Sequence, residues 1–536
     1  MSSSGTERLF LSGNEAVAKA AADAEVSLGT GYPGTPSSEI LEAFDHYGGR
    51  ARWAPNEKVA LEVGIGAAFG RARVLVTMKH VGLNVAADPF FSAAYSGVDG
   101  GLVVACADDP GMASSQNEQD NRHYAEAAGV PMLEPSDSQE AYDYAVRAIK
   151  VSEEWNIPVM LRLTTRICHS RTVVETRNVA GPTLEPEFGR NIEGRVMIPA
   201  HARPAHRRLR EKLKDVRRRN EQSDLHFVDP GDGEPAIITS GISYMHAREA
   251  APDSPILKLG MTHPLPMDTI RKFVQEAGRC VVIEENDPYL ATHIRAEGLE
   301  VEGKPEEFRF GELNVGRVRA ILDGQTEDEE EETPAGRAPR LCPGCPHRKT
   351  FEVLDEQEAI VTGDIGCYTL GALGPFRAMD TQLCMGASIG VGLGLRQVLP
   401  EEQARRVVSV IGDSTFVHSG LTGLVEMVYN TPPTGHTVIV VDNGTTAMTG
   451  LQEHPATGKL LDGTPTEQLS IEGVAESIGI SEVNVVDPLT QNDTLSETLR
   501  NAHDNNLTTL IVARRSCVLA QKKARQREKK EAETNA

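Results

Sequence analysis

The chain has 536 residues, 40% of them hydrophobic and 24% charged, an ordinary globular usage that excludes a disordered or fibrous protein. Its length exceeds what one hydrophobic core can serve, so about three to four domains are expected. With 54 Lys and Arg against 77 Asp and Glu the net charge is −23, which argues against a nucleic-acid backbone as partner.

The N-terminus, MSSSGTERLFLSGNEAV, has no basic region leading into an apolar stretch, so no secretory leader is expected. No run of about 18 apolar residues occurs, so no membrane partner is expected and the location is read as cytoplasmic. Lysine is scarce, 15 against 39 arginines, a composition that hints at a salt-adapted host. Arg73–Met78, Gly101–Cys106 and Ile157–Leu163 are predicted strands, and Asn56–Gly70 and Ser138–Glu153 predicted helices. This alternation predicts an α/β fold with doubly wound, mainly parallel sheets. From Pro182 the character changes: Arg203–Arg219 is a strongly basic helical run, read as a solvated connecting or interface helix. Alternation resumes with strands at Glu234–Ser240, Ile256–Leu259 and Arg279–Glu284. The run EDEEEE at 327–332, ended by Thr, Pro, Ala and Gly, reads as a linker. Strands at Arg406–Ile411 and His436–Val441 then open a further α/β domain, and the chain ends in a charged helical tail. The expected domains are thus 1–181, 226–326 and 339–520, joined by a basic segment over 182–225 and an acidic linker over 327–338, with a tail over 521–536.

The clearest chemistry lies in the last domain. The strand ending at Ile411 runs into Gly412-Asp413-Ser414-Thr415, at the strand end where open α/β sheets bind ligands. About thirty residues on, a second apolar strand ends in Asp442-Asn443. One carboxylate and one amide oxygen at neighbouring strand ends can grip a hard cation such as Mg²⁺, which keeps phosphate oxygens as further ligands. Glycines at 412, 444 and 450 let backbone approach phosphates. A strand-GDS followed at this spacing by a strand-DN is a thiamine-diphosphate signature; the bland alternative is two ordinary strand-to-turn junctions.

Of eight cysteines, Cys342 and Cys345 form a CxxC, Cys367 follows in GDIGCY, and Cys517 follows the last apolar strand. Four thiolates can hold tetrahedral Zn²⁺ or a [4Fe–4S] cluster, and thiol chemistry alone does not separate them. A neighbouring thiamine site gives a redox cluster a task and a zinc none. Cys106, Cys168, Cys280 and Cys384 sit among apolar or small residues and are read as inert core thiols. Near the N-terminus, Gly31–Glu39 (GYPGTPSSE) offers hydroxyls and amides leading into a helix, where a carboxylate can bind; the plainer reading has Ser37 or Ser38 capping that helix. Glu57 opens the next helix, where a lone glutamate is commonly a dipole residue.

The motifs LCPGCPHR, GDIGCYTLG, MGASIGVGLG, IGDSTFVHSG and VDNGTTAMTG, with YPGTPSSE, residues 107–126 and EENDP at 284–288, closely resemble the α subunit of indolepyruvate:ferredoxin oxidoreductase. The resemblance runs in order over residues 8–520 and places the chain among the 2-oxoacid:ferredoxin oxidoreductases. It implies sheets of the thiamine-diphosphate-binding type, with a pyrimidine-binding domain first, a small transketolase C-terminal-like domain second and a diphosphate-binding domain last. It implies oxidative decarboxylation of a 2-oxoacid, an aryl pyruvate such as indolepyruvate, with coenzyme A to acyl-CoA and CO₂, electrons passing to ferredoxin. Carried over to this sequence, it implies that Asp413 and Asn443, with a backbone carbonyl near Thr445, ligate Mg²⁺. Gly412, Ser414, His418, Met448 and Thr449 would line the diphosphate and thiazolium, with Cys367 close by. Glu57 would hydrogen-bond the aminopyrimidine, and Thr35 would meet the substrate carboxylate. Cys342, Cys345, Cys367 and Cys517 would hold one [4Fe–4S] cluster. The resemblance further implies a small β subunit and an (αβ)₂ assembly. The family's two distal cysteine-rich clusters have no counterpart after Cys517, so a separate electron-relay protein is an expected alternative to ferredoxin. The competing expectations are a non-oxidative thiamine-dependent decarboxylase or carboligase, and a non-catalytic relative that keeps the fold.

Overall fold

The computed structural model describes residues 7–177, 179, 184–326 and 340–534; the whole of the expected acidic linker, from 327 to 338, lies outside them. The chain divides into two compact units, one up to Glu332 and one from Thr333.

In the first unit the strands are, in chain order, β1 (Glu7–Ser12), β2 (Leu28–Gly31), β3 (Ala51–Trp53), β4 (Val74–Lys79), β5 (Leu102–Asp108), β6 (Met132–Leu133), β7 (Val159–Thr164), β8 (Arg171–Thr176), β9 (Phe227–Asp229), β10 (Ala236–Ser240), β11 (Ile256–Leu259), β12 (Met261–His263) and β13 (Cys280–Ile283). A seven-stranded sheet has the order β12-β6-β7-β5-β4-β2-β3. Its pairs are parallel except β12, which joins β6 antiparallel. β4, β5 and β7 are buried along their whole length, as strands covered by helices on both faces must be. Val74, Val76 and Met78 of β4 alternate onto one face with Leu102, Val104 and Cys106 of β5, against Ala60, Leu61 and Ala68 of the helix Glu57–Phe69. A four-stranded sheet, β13-β10-β11-β9, is parallel except for β9, and β1 pairs antiparallel with β8.

The expected boundary near 225 is crossed by the chain's own pairing. β12, from the segment expected to form the small domain, extends the N-terminal sheet, and Thr262 donates to the buried carboxylate of Glu134 at 2.5 Å. The basic run is the helix Pro199–Asn220. Leu209 and Leu213 pack into the core of the seven-stranded sheet, while Arg203, Arg207, Arg210, Lys214, Arg217 and Arg218 recur at helical spacing along its exposed side.

The second unit holds five parallel strands, β14 (Ile360–Thr362), β15 (Val407–Gly412), β16 (His436–Asp442), β17 (Glu482–Val486) and β18 (Thr508–Arg514), in the order β14-β15-β16-β18-β17. It is doubly wound. Val408, Val410, Ile439, Val441 and Ile511 face Phe351, Leu354, Leu495 and Leu499 of two helices. Ile411, Val438, Val440 and Val512 face Ile389, Leu393, Leu424 and Met427 on the other side. The expected tail lies on the helix Val518–Thr534.

Candidate functional site

Register sets the first cluster. β15 and β16 run parallel with Gly412 opposite Val441, so Asp413 and Asn443 leave the sheet side by side at its C-terminal edge. Both are buried. Asp413 Oδ2 accepts a hydrogen bond from the Gly444 N–H at 2.8 Å and lies 3.2 Å from His454 Nε2. Burial pushes this carboxyl up, but His454 and the amides of Ser414 and Gly444 outweigh it and hold the group below the usual carboxylate range. Asn443 Oδ1 accepts from the Thr445 N–H at 3.1 Å, and its amide nitrogen meets His347 Nε2 at 3.2 Å. Gly444 has φ +71° and nothing within 4 Å of where a Cβ would stand, so the loop is open there.

The residues beyond fold back onto this pair. Ser414 and Thr446 share a hydroxyl hydrogen bond of 2.8 Å, and the Thr446 N–H donates to the carbonyl of Gln452 at 2.9 Å, closing the loop that carries Met448 and Thr449. Thr449 donates to Gln452 Oε1 at 2.6 Å, whereas Met448 is exposed. His418 lies one turn after Asp413, buried, its Nδ1 2.6 Å from the Ser419 hydroxyl. Gly412 is required where it stands, since a Cβ would come within 2.7 Å of the Tyr368 ring. That ring belongs to the turn Cys367–Ala372, so the cysteine and the strand end are packed together.

The four cysteines converge. Burial first and the neighbouring cysteine thiols second push Cys345 up to about 11 and Cys367 up to about 12. Three chain segments therefore bring Cys342, Cys345, Cys367 and Cys517 within electrostatic reach of one another. The Cys517 N–H donates to the carbonyl of Asn443 at 2.9 Å, which ties this thiol group to the carboxylate–amide pair. Cys106, Cys168 and Cys280 are buried as expected, but Cys384 is exposed: it precedes the helix Ala387–Val398 and its small neighbours leave it uncovered.

The donor sets can be tested against the groups they would hold. A carboxylate and an amide oxygen at one strand end are hard ligands suited to Mg²⁺, with open glycine backbone beside them. Four partly buried thiols on three segments suit an iron–sulfur cluster.

In the first unit, Glu57 begins its helix directly after β3, where the Asn56 side chain accepts from the Val59 N–H at 2.9 Å. Glu57 is buried, and a Cβ on Gly82 would stand 2.6 Å from its Oε1, so Gly82 leaves the space this carboxylate occupies. Thr35 lies half-buried in the loop after β2. Ser37 and Ser38 do not cap the following helix through their side chains, contrary to the plain reading. They close the loop instead: the Gly34 N–H donates to Ser38 Oγ at 2.8 Å and Ser37 Oγ donates to the Gly34 carbonyl at 2.9 Å. Thr35, Glu57 and, at the end of β4, Lys79 thus follow successive strand ends of one parallel sheet. The buried Lys79 donates to the Ser114 carbonyl at 2.6 Å.

Two curated relatives match almost the whole chain. Indolepyruvate oxidoreductase subunit IorA of Archaeoglobus fulgidus is 40% identical, over 98% of this chain and 89% of its own length. The same subunit from Methanothermobacter thermautotrophicus is 40% identical, over 96% of this chain and 87% of its own length. The chain belongs to the IorA family. This places it among the thiamine-diphosphate-dependent 2-oxoacid:ferredoxin oxidoreductases. Residues 19–202 match "Pyruvate flavodoxin/ferredoxin oxidoreductase, thiamine diP-bdg" and residues 364–513 match "Thiamine pyrophosphate enzyme, C-terminal TPP binding domain". The solved 2-oxoglutarate:ferredoxin oxidoreductase from Magnetococcus marinus, with 2-oxoglutarate, coenzyme A and succinyl-CoA bound, shares the fold: TM-score 0.51, 17% identity, 60% of this chain and 66% of that one covered. Among the described residues no helix is long and apolar enough to cross a membrane.

Sequence reasoning passed over several residues of this IorA-family site. Asp364, buried, accepts from the amides of Gly386 and Ser388 at 2.9 and 3.0 Å and so fastens the Cys367 segment to a helix start. His347 and His454 each touch a member of the Asp413–Asn443 pair. Only His347 carried a signal, its place two residues after Cys345. A second group gathers Asp120, His123 and Asp287, but Arg122 engages Asp120 and Arg309 engages Asp287, so it is an ion-pair cluster.

Proposed function

We propose that this chain is the α subunit of an enzyme that oxidatively decarboxylates an aryl 2-oxoacid of the indolepyruvate kind and passes the electrons to ferredoxin. The observation that carries the proposal is the hydrogen bond from Cys517 to Asn443, which joins four gathered thiols to a carboxylate–amide pair at a strand end. The family's name for its members supports the substrate class, and coenzyme A bound in the Magnetococcus marinus enzyme supports coenzyme A as acyl acceptor.

The residues take these roles. Asp413 and Asn443, with a backbone carbonyl near Thr445, hold Mg²⁺ and through it a diphosphate. Gly412, Ser414, His418, Met448 and Thr449 line the diphosphate and thiazolium. Glu57 holds a proton at the aminopyrimidine ring, and Thr35 orients the substrate carboxylate. Cys342, Cys345, Cys367 and Cys517 hold one [4Fe–4S] cluster, with Cys517 tied to the cofactor-binding strand end through Asn443 and Cys367 through Tyr368. Thiamine diphosphate, when bound, supplies the electron sink that lets the carboxylate leave as CO₂. The sum is a 2-oxoacid anion and coenzyme A giving acyl-CoA, CO₂, one proton and two electrons. A 4Fe cluster carries those electrons singly to ferredoxin or to a separate relay protein. The domains of the proposal are those set out from the sequence, except that β12 of the 226–326 segment belongs to the N-terminal sheet, with a small β subunit completing an (αβ)₂ assembly.

The test is anaerobic purification of the chain co-expressed with its small partner. About four irons per α chain, and coenzyme A-dependent reduction of ferredoxin with indolepyruvate, are expected. One zinc without iron, or an aldehyde product formed without any acceptor, would overturn the proposal. Light scattering should show both subunits in one particle; full activity from the α chain alone would overturn the assembly.

A further inference from the structure

The two sides of a carboxamide are nearly the same shape and opposite in character: the oxygen accepts, the nitrogen donates. An asparagine serving as a cation ligand must present oxygen, so something has to choose its orientation. Asn443 is buried, and both ends of its amide have partners. Its oxygen accepts from the Thr445 N–H at 3.1 Å, which leaves one lone pair. Its nitrogen is directed at His347 Nε2, 3.2 Å away. Nε2 can accept from that N–H only when the imidazole proton sits on Nδ1. A flipped Asn443 would set its N–H₂ against the Thr445 N–H and, with the imidazole proton on Nδ1, its oxygen against the Nε2 lone pair; with the other tautomer the first repulsion remains.

The geometry points to His347 as a positioning residue that fixes the amide of Asn443 so that its oxygen is offered to the cation. His347 begins the helix His347–Glu356, two residues after Cys345, and the Cys517 N–H holds the backbone carbonyl of the same asparagine at 2.9 Å. The cysteine-bearing segments thus grip Asn443 at side chain and backbone alike. The inference rests on the reading of Asp413 and Asn443 as metal ligands. Partners one step removed from a metal typically alter its affinity about 10- to 100-fold when lost.

The test measures Mn²⁺ binding by electron paramagnetic resonance in the anaerobically purified enzyme with its small subunit, with and without thiamine diphosphate, alongside iron content and melting temperature. His347→Leu removes the acceptor; His347→Gln keeps one, because Gln Oε1 can occupy the place of Nε2. The expected result is Mn²⁺ affinity at least about tenfold weaker in H347L, with iron retained, and affinity within about threefold of the parent in H347Q. H347L binding Mn²⁺ as the parent does would overturn the inference, and so would H347Q as weak as H347L. If H347L loses its iron or its fold, H347Q decides alone: parent-like affinity supports the role and a tenfold loss overturns it. A parent enzyme whose Mn²⁺ binding ignores thiamine diphosphate would overturn the metal-site reading itself, and this inference with it.

Discussion

A carboxylate such as Asp413, buried beside a histidine and a backbone amide, stays ionised because its partners outweigh its desolvation. Truncating it would remove the proposed hard ligand, and β15 and its neighbours are expected to stay folded. Asp413→Ala is expected to lower Mg²⁺-dependent turnover by at least about a hundredfold with a melting temperature within a few degrees of the parent. Turnover at limiting Mg²⁺ close to the parent's would disprove the role. Glu57 poses a different question, since its proposed role is to hold a proton. Glu57→Gln keeps the shape but not the acid–base chemistry, so thiamine diphosphate should bind within about threefold of the parent. Deuterium exchange at its thiazolium C2 should slow by about 10²- to 10⁴-fold, and an unchanged rate would refute the assignment.

At the scale of elements, a buried ionic lattice fastens the loop after β5 to the loop after β13. Arg122 is wholly buried. It donates to Asp120 at 2.5 Å, to Glu284 at 2.7 Å and to the carbonyls of Glu285 and Asp287 at 2.7 and 2.8 Å. Arg162 bridges Asp108, Glu134 and Asn286 at 2.7, 2.7 and 2.8 Å. Such pairs add little over apolar packing, but losing one partner strands the others in low dielectric. Arg122→Met leaves Glu284 with the Leu290 and Ala291 amides and Asp120 with Arg162 at 3.5 Å, and should cost about 3–5 kcal/mol. Chemical unfolding of the first unit measures this; a loss under about 1 kcal/mol would show the lattice to be dispensable.

Across the whole molecule this lattice carries more acid than base, which makes stability depend on pH. Burial pushes Glu285 up from 4.5 to about 7 against the pull of Lys304, and pushes Asp108 up from 3.8 to about 6 against Arg162. Between the unfolded and folded values the native state holds protons that the unfolded chain has lost. These two carboxyls therefore add stability as pH falls from about 8 to about 5, on the order of 1 kcal/mol per unit near pH 6 to 7. His80, His263, His347 and His503, held by burial down to about 4, refuse protons that the unfolded chain takes up. They outweigh the two carboxyls, so the net stability should fall below about pH 7. Asp120, held far below its usual range, adds to that fall only in stronger acid. Glu285→Gln keeps an acceptor for the Leu313 N–H and should remove this carboxyl's share, so that stability falls more steeply than the parent's between pH 7 and 6, by about 1 kcal/mol per unit. An unchanged slope would show that the dependence originates elsewhere.

What the sequence determined by itself was local. The mainly apolar runs at 73–78, 101–106, 406–411 and 436–441 read as strands, since a strand covered by helices on both faces is apolar at most positions. The glycines, Asp413 and Asn443 stand directly at the ends of such runs and were legible for that reason, as was the CxxC. Tertiary structure decided what no spacing encodes. Three-residue strands such as β3 and β12 are too short to show a period, and β12 was captured by the N-terminal sheet through pairing with β6. His347, His454 and Asp364 lie 96, 41 and 22 residues from the groups they meet. Arg122 and Arg162, of a residue type that usually stays in solvent, are buried because carboxylates, most of them distant in sequence, surround them. These positions acquire meaning only when folding removes water, since a lone charge or amide is costly there unless the chain brings its partner.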